Sequence, residues 1–143
     1  HLDEIDIVAS DHAPHTLAEK RGPSPPAGVP GLETTLPLLL NAVAQGRLTL
    51  GAVVRLMAER PARLFSLARK GRVAPGFSAD LVLVDLNAKA TLGQKLYTKC
   101  GWTPFAGMTV TGKVQRVLLR GADAVVAGEV LAEPGWGRLV EPS

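Results

Sequence analysis

An α/β segment followed by a small β domain is the architecture this sequence predicts, and three observations predict it. A short β-branched run, Ile5, Ile7, Val8 and Ala9, ends directly on a polar cluster, Ser10-Asp11-His12-Ala13-Pro14-His15. Segments with apolar residues at helical spacing then follow as far as residue 69. From Lys70 onward the pattern turns to short β-type runs separated by glycine turns.

The first run is too short for a helix and rich in residues that favour strands. Its polar end matters because parallel α/β architectures keep their chemistry at the C-terminal ends of strands. Residues 12–30 form a long irregular segment carrying Pro23, Pro25, Pro26, Gly28 and Pro30. Loops of that length inside a compact domain are usually functional or disordered. Leu32 to Gln45 is predicted helical, with Leu36, Leu39, Leu40 and Val43 on one face and Gly46 as the stop. Pro37 falls near its first turn, where proline is tolerated. Thr49 caps a second helix with Leu50, Val53, Val54 and Met57 as its apolar stripe. Pro61 opens a third helix through Leu67. Strands are predicted at Ala79–Asp85, Lys113–Arg120, Ala124–Val126 and Glu129–Leu131, joined by tight turns. Residues 1–69 thus read as the end of an α/β domain and 70–143 as part of a β domain.

Composition narrows the function classes. The chain has 143 residues, is 46% hydrophobic and carries a net charge of +3, with its basic residues scattered. No basic stripe interleaves with aromatics, which argues against nucleic acid as a partner. A single cysteine, Cys100, excludes an internal disulfide and a cysteine-based zinc finger. No run is apolar and long enough to span a bilayer and no signal peptide is evident, so a cytoplasmic protein without a membrane partner is expected. His1 leads into the first strand without an initiator Met, the expected look of a piece of a longer chain.

Two motifs carry a family resemblance. Asp11-His12-Ala13-Pro14-His15-Thr16 with Glu19-Lys20, then Pro25-Pro26-Ala27-Gly28-Val29-Pro30-Gly31-Leu32-Glu33-Thr34, resembles dihydroorotase of the amidohydrolase superfamily. The form most similar is that of the dihydroorotase domain of the multifunctional animal pyrimidine-synthesis protein. The likeness continues through Leu36-Pro37-Leu38-Leu39-Leu40, Gly76-Phe77-Ser78-Ala79-Asp80-Leu81-Val82-Leu83-Val84-Asp85 and Trp102-Thr103-Pro104-Phe105-Ala106-Gly107. It therefore covers nearly the whole chain.

What the resemblance implies is the last strand and helices of a (β/α)8 TIM barrel plus the C-terminal part of a small β-sandwich domain. A full barrel takes about 250 residues, so most of it lies outside this sequence. The implied reaction is the reversible cyclisation of N-carbamoyl-L-aspartate to L-dihydroorotate in pyrimidine synthesis. The cofactor is one or two Zn2+ ions. Asp11 takes the role of metal ligand and proton shuttle, and His15 that of hydrogen-bonding the substrate carboxylate. The backbone near Ala27 and Gly28 adds a substrate contact. Such a reaction needs an activated water, a polarised carbonyl and a proton for the leaving nitrogen.

The resemblance also implies further metal ligands, a His-x-His pair, a carboxylated Lys and two more His, on earlier barrel strands. This sequence has His1, His12 and His15 only. One carboxylate cannot hold a catalytic zinc, which normally takes three protein ligands. The chain alone is therefore expected to be catalytically silent. A homo-oligomer and an association with aspartate transcarbamoylase are further implied. Two other readings stand beside this one: a hydantoinase- or allantoinase-type cyclic amidohydrolase, and a non-catalytic dihydroorotase-like subunit that scaffolds aspartate transcarbamoylase. Among the remaining residues, His12 is expected to orient the loop, and Glu19-Lys20-Arg21 to be a solvated charge cluster. Trp102 and Phe105 are expected as core or interdomain anchors, and Cys100 as a free structural thiol.

Overall fold

The computed structural model describes residues 4–142; His1 lies outside the described residues. The elements are, in order, α1 (Leu17–Lys20), α2 (Thr35–Ala44), α3 (Leu50–Val54), a π-helical turn (Arg55–Glu59), α4 (Arg60–Leu64), β1 (Leu81–Thr91), β2 (Thr109–Leu119), β3 (Ala122–Val126) and β4 (Glu129–Val130). This is a mixed α/β structure with one four-stranded sheet in the order β1-β2-β3-β4. The chain divides into two compact units. The first comprises residues 1–8, 49–85 and 114–143, and the second residues 9–48 and 86–113.

In the first unit, Thr49 caps α3 as predicted, its hydroxyl accepting from the Ala52 N–H at 3.1 Å. The buried face of the helical run is Ala52, Val53, Leu56 and Ala62. That differs from the predicted stripe: Leu50 and Val54 lie on the exposed side. Leu50 and Val54 precede the π-helical turn, whose extra residue per turn rotates only the side chains that follow it. Leu64 and Phe65 remain more than half exposed.

Residues 5–9 do not form the predicted strand. A barrel strand exists by pairing on both edges, and no described residue pairs with this run in a ladder. Its recorded backbone bond runs from the Val8 N–H to the Leu56 carbonyl at 3.1 Å, within the π-helical turn.

The β hairpins follow local turn chemistry closely. Arg120-Gly121 and Ala127-Gly128 both have positive φ at both positions, the geometry of tight hairpin loops that match strand twist. They set the antiparallel registers Leu119↔Ala122 and Val126↔Glu129. Asp80, predicted as strand, instead stands just before β1 and accepts the Arg120 N–H at 2.7 Å, holding the first turn. It also pairs with Lys70, whose hydrogen bond is the largest cause of its lowered carboxyl pKa.

In the second unit the core is Leu40, Leu92 and Val110, with Thr34, Asn41 and Thr103 buried beside them. Asn41 is admitted because its Oδ1 accepts the Thr111 N–H at 3.0 Å. The predicted helix over residues 32–45 starts three residues later, at Thr35. Gly31 closes its first turn, its carbonyl accepting from the Thr35 N–H at 3.0 Å and the Thr35 hydroxyl at 2.8 Å.

Candidate active site

All the predicted site residues lie in the second unit, where the Asp11–His15 motif and the Ala27–Leu32 loop are folded against each other. His12 and Val29 form a parallel bridge, and the Ala13 N–H donates to the Val29 carbonyl at 3.0 Å. His12 Nδ1 accepts two backbone N–H groups, from Gly31 at 3.2 Å and Leu32 at 3.1 Å. Accepting at Nδ1 requires that nitrogen to be unprotonated. His12 therefore shapes the loop, as its position beside Asp11 suggested.

Gly28 shows how closely the two segments approach. Its φ is +84°, and a Cβ built there would stand 2.6 Å from Ala13 Cβ. A side chain at position 28 is excluded both by conformation and by space. Ala27 and Gly28 are exposed, with their backbone on the surface of this cradle.

Asp11 holds a left-handed conformation, φ +44°, which is uncommon outside glycine and which Asp tolerates better than most residues. It is exposed, and its carboxylate has no hydrogen-bond or ion-pair partner among the described residues. His15 is half-buried. Its N–H donates to the Ala13 carbonyl at 2.9 Å, and its carbonyl accepts the Trp102 indole N–H at 2.7 Å. The backbone of His15 is thus fixed at both ends, while its ring makes no hydrogen bond among the described residues and interacts electrostatically with Glu19. Trp102, expected as a packing anchor, is half-buried and also donates to a candidate site residue.

Two more contacts brace the loop. Thr16 and Glu19 form a reciprocal capping box at α1, and the Thr16 backbone N–H is the largest cause of the lowered Glu19 pKa. Lys20, expected to be solvated, instead donates from Nζ to the carbonyls of Pro26 at 2.6 Å and Gly28 at 2.8 Å. Its neighbours in sequence gave no hint of this, since the partners are backbone atoms six and eight residues away. Glu33 accepts from the Thr98 hydroxyl, the Thr98 N–H at 2.7 Å and the Tyr97 N–H at 3.0 Å. Partial burial raises its pKa, but these bonds outweigh that and leave it lowered. Cys100 is a free thiol, with Sγ 3.8 Å from the Trp102 carbonyl oxygen.

Among the described residues no group of three or more His, Cys, Asp or Glu side chains could hold a metal ion. Asp11 is a single carboxylate, and the residues of this chain do not by themselves fit a catalytic zinc centre. A cavity of about 250 Å³ in the first unit, lined by Glu59, Arg63, Lys70 and Phe77 among others, contains none of the predicted site residues. No helix among the described residues is long and apolar enough to cross a membrane.

Comparison with known proteins agrees with the motif reading. Residues 5–123 match the model of the amidohydrolase family. The chain is 47% identical over 138 residues to the multifunctional protein CAD of Squalus acanthias, covering 96% of this chain and 6% of that protein. It is 45% identical over 141 residues to a dihydroorotase of Pyrococcus abyssi, covering 98% of this chain and 34% of the relative. A solved dihydropyrimidinase from Brevibacillus agri superposes with a TM-score of 0.90 at 31% identity, over 96% of this chain and 32% of that one. The chain thus spans about a third of the length of the dihydroorotase it matches. It belongs to the amidohydrolase family.

Proposed function

We propose that this chain forms the C-terminal third of a zinc-dependent dihydroorotase, interconverting N-carbamoyl-L-aspartate and L-dihydroorotate in pyrimidine synthesis. The observation that carries the reading is the cradle in which the Asp11–His15 motif is bound to the Ala27–Leu32 loop through His12. It leaves a carboxylate without a partner among the described residues, an imidazole and exposed loop backbone in one unit. In this proposal residues 1–69 belong to the end of a (β/α)8 barrel and 70–143 to a β-sandwich domain.

In the hydrolytic direction a water oxygen bonds to the ring amide carbon and the C–N bond breaks. The Asp11 carboxylate takes a proton from that water and returns it to the departing nitrogen. His15 donates a hydrogen bond to the substrate carboxylate and fixes the ring for attack. The backbone at Ala27 and Gly28 contacts the substrate. Asp11 would serve as one zinc ligand, the others lying outside residues 1–143, and the metal would supply Lewis-acid polarisation and water activation. A cytoplasmic location, a homo-oligomer and association with aspartate transcarbamoylase complete the proposal. The 45% identity to a dihydroorotase supports dihydroorotate as the substrate.

The test is dihydroorotate hydrolysis by the whole zinc-loaded protein, with its intact mass measured alongside. Activity is expected from a protein well above 15.0 kDa and none from the 143-residue chain alone. Asp11→Asn should lower kcat by about 10²–10⁴, the usual worth of a positioned acid–base group. A whole protein that binds zinc yet leaves dihydroorotate untouched would point instead to a non-catalytic scaffolding subunit.

A further inference from the structure

We infer that Lys20 is a positioning residue for the substrate: its ammonium holds the Pro26–Gly28 backbone in the orientation that contacts it. The inference rests on the dihydroorotase reading. Nζ donates to the carbonyls of Pro26 at 2.6 Å and Gly28 at 2.8 Å, and Lys20 itself is half-buried. Those two residues flank Ala27, so one cation fixes the peptide planes on both sides of the exposed loop tip.

The consequence follows from peptide geometry. A trans peptide places its C=O and N–H on opposite sides of the same plane. With the Pro26 and Gly28 carbonyls turned toward Lys20, the N–H groups of Ala27 and Val29 are turned away from it. The loop is also held from the motif, since Gly28 lies against Ala13 and the Val29 carbonyl accepts the Ala13 N–H. The loop backbone is thus fixed both by the Asp11–His15 motif and by a charge. Lys20 is brought to this place by α1, whose first turn is fixed by the Thr16–Glu19 capping box. Hydrogen bonds to a charged donor are among the stronger ones, and no other described side chain makes a recorded hydrogen bond to the Pro23–Val29 backbone.

The test uses the whole zinc-loaded enzyme and three proteins: parent, Lys20→Met and Lys20→Arg. Lys20→Met keeps the length of the stem and removes the donor. KM for dihydroorotate should rise about tenfold with kcat within about twofold, the pattern of lost uniform binding. Lys20→Arg, which retains charged donors, should recover most of the KM. A merely structural lysine would lower the yield or melting temperature of the active protein and leave KM unchanged. An active parent with the same KM in Lys20→Met would overturn the inference. Amide hydrogen exchange gives a readout independent of catalysis. Exchange of the hydrogen-bonded Ala13, Gly31 and Leu32 amides should be about tenfold faster in Lys20→Met. Equal exchange overturns the inference. An inactive parent overturns the dihydroorotase reading itself, and with it the role of Lys20 toward that substrate.

Discussion

Gly28→Ala separates the loop's close approach from ordinary backbone strain, provided it is measured beside Gly46→Ala. Both glycines have positive φ, +84° and +70°, so an alanine at either place meets the same left-handed penalty, about 1–2 kcal/mol. They differ in their surroundings. A Cβ at position 46 meets nothing within 4 Å, whereas one at position 28 stands 2.6 Å from Ala13 Cβ. Carbon atoms pack best at about 3.5–4.0 Å, so the overlap is about 1 Å and must be relieved by moving the loop off the motif. Overpacking of this kind typically costs a further ~1–3 kcal/mol. Gly46→Ala should therefore lose about 1–2 kcal/mol in urea unfolding of the whole protein, with catalysis unchanged. Gly28→Ala should lose more, and a loop displaced by about 1 Å should cost up to about 10²-fold in kcat/KM for dihydroorotate. Equal stability losses together with equal, near-parental activity in the two variants would refute the close packing of the loop on Ala13.

Trp102→Phe removes the indole donor to the His15 carbonyl and keeps most of the ring. A fall of about tenfold in kcat/KM is expected, with little change in melting temperature, and the assay is dihydroorotate hydrolysis. Asn41→Leu leaves the Thr111 N–H without its recorded acceptor beside the Leu40 core, which should destabilise the protein by about 1–3 kcal/mol in urea unfolding. Glu33 tests electrostatics. Its folded carboxyl pKa is lowered from an ordinary 4.5, so its stabilisation is complete above that pH and is lost as pH falls through the lower folded value. The stability gap between the parent and Glu33→Gln should accordingly be widest near neutral pH and shrink in acid. A gap that grows on acidification would contradict the Thr98 and Tyr97 contacts.

Much of the local structure was written in short-range chemistry and so was legible in the sequence. Thr49 needs only its own hydroxyl and the Ala52 N–H to cap a helix. Hairpins such as Val126–Glu129 follow from two turn residues. The candidate site is also compact in the sequence, with Asp11, His15, Ala27 and Gly28 standing in two short runs. Gly28 could be suspected because glycine is chosen where a side chain has no room.

Other features depend on partners that no local pattern names. Residues 5–9 have strand composition, yet a strand is a relation between chains of hydrogen bonds, and no described residue supplies the neighbouring ladder. Helical spacing places Leu50 and Val54 on the buried stripe after Thr49, yet spacing gives only a period, and which face is buried is set by what packs against it. Lys20 and Trp102 act through backbone carbonyls, which every residue carries and which therefore leave no mark in a sequence. The types of chemical group available were thus determined by the order of the residues alone. Which carbonyl meets the Lys20 ammonium, and which backbone turns toward the Asp11–His15 motif, was decided only by tertiary structure, because hydrogen bonds are selected by distance and direction in space.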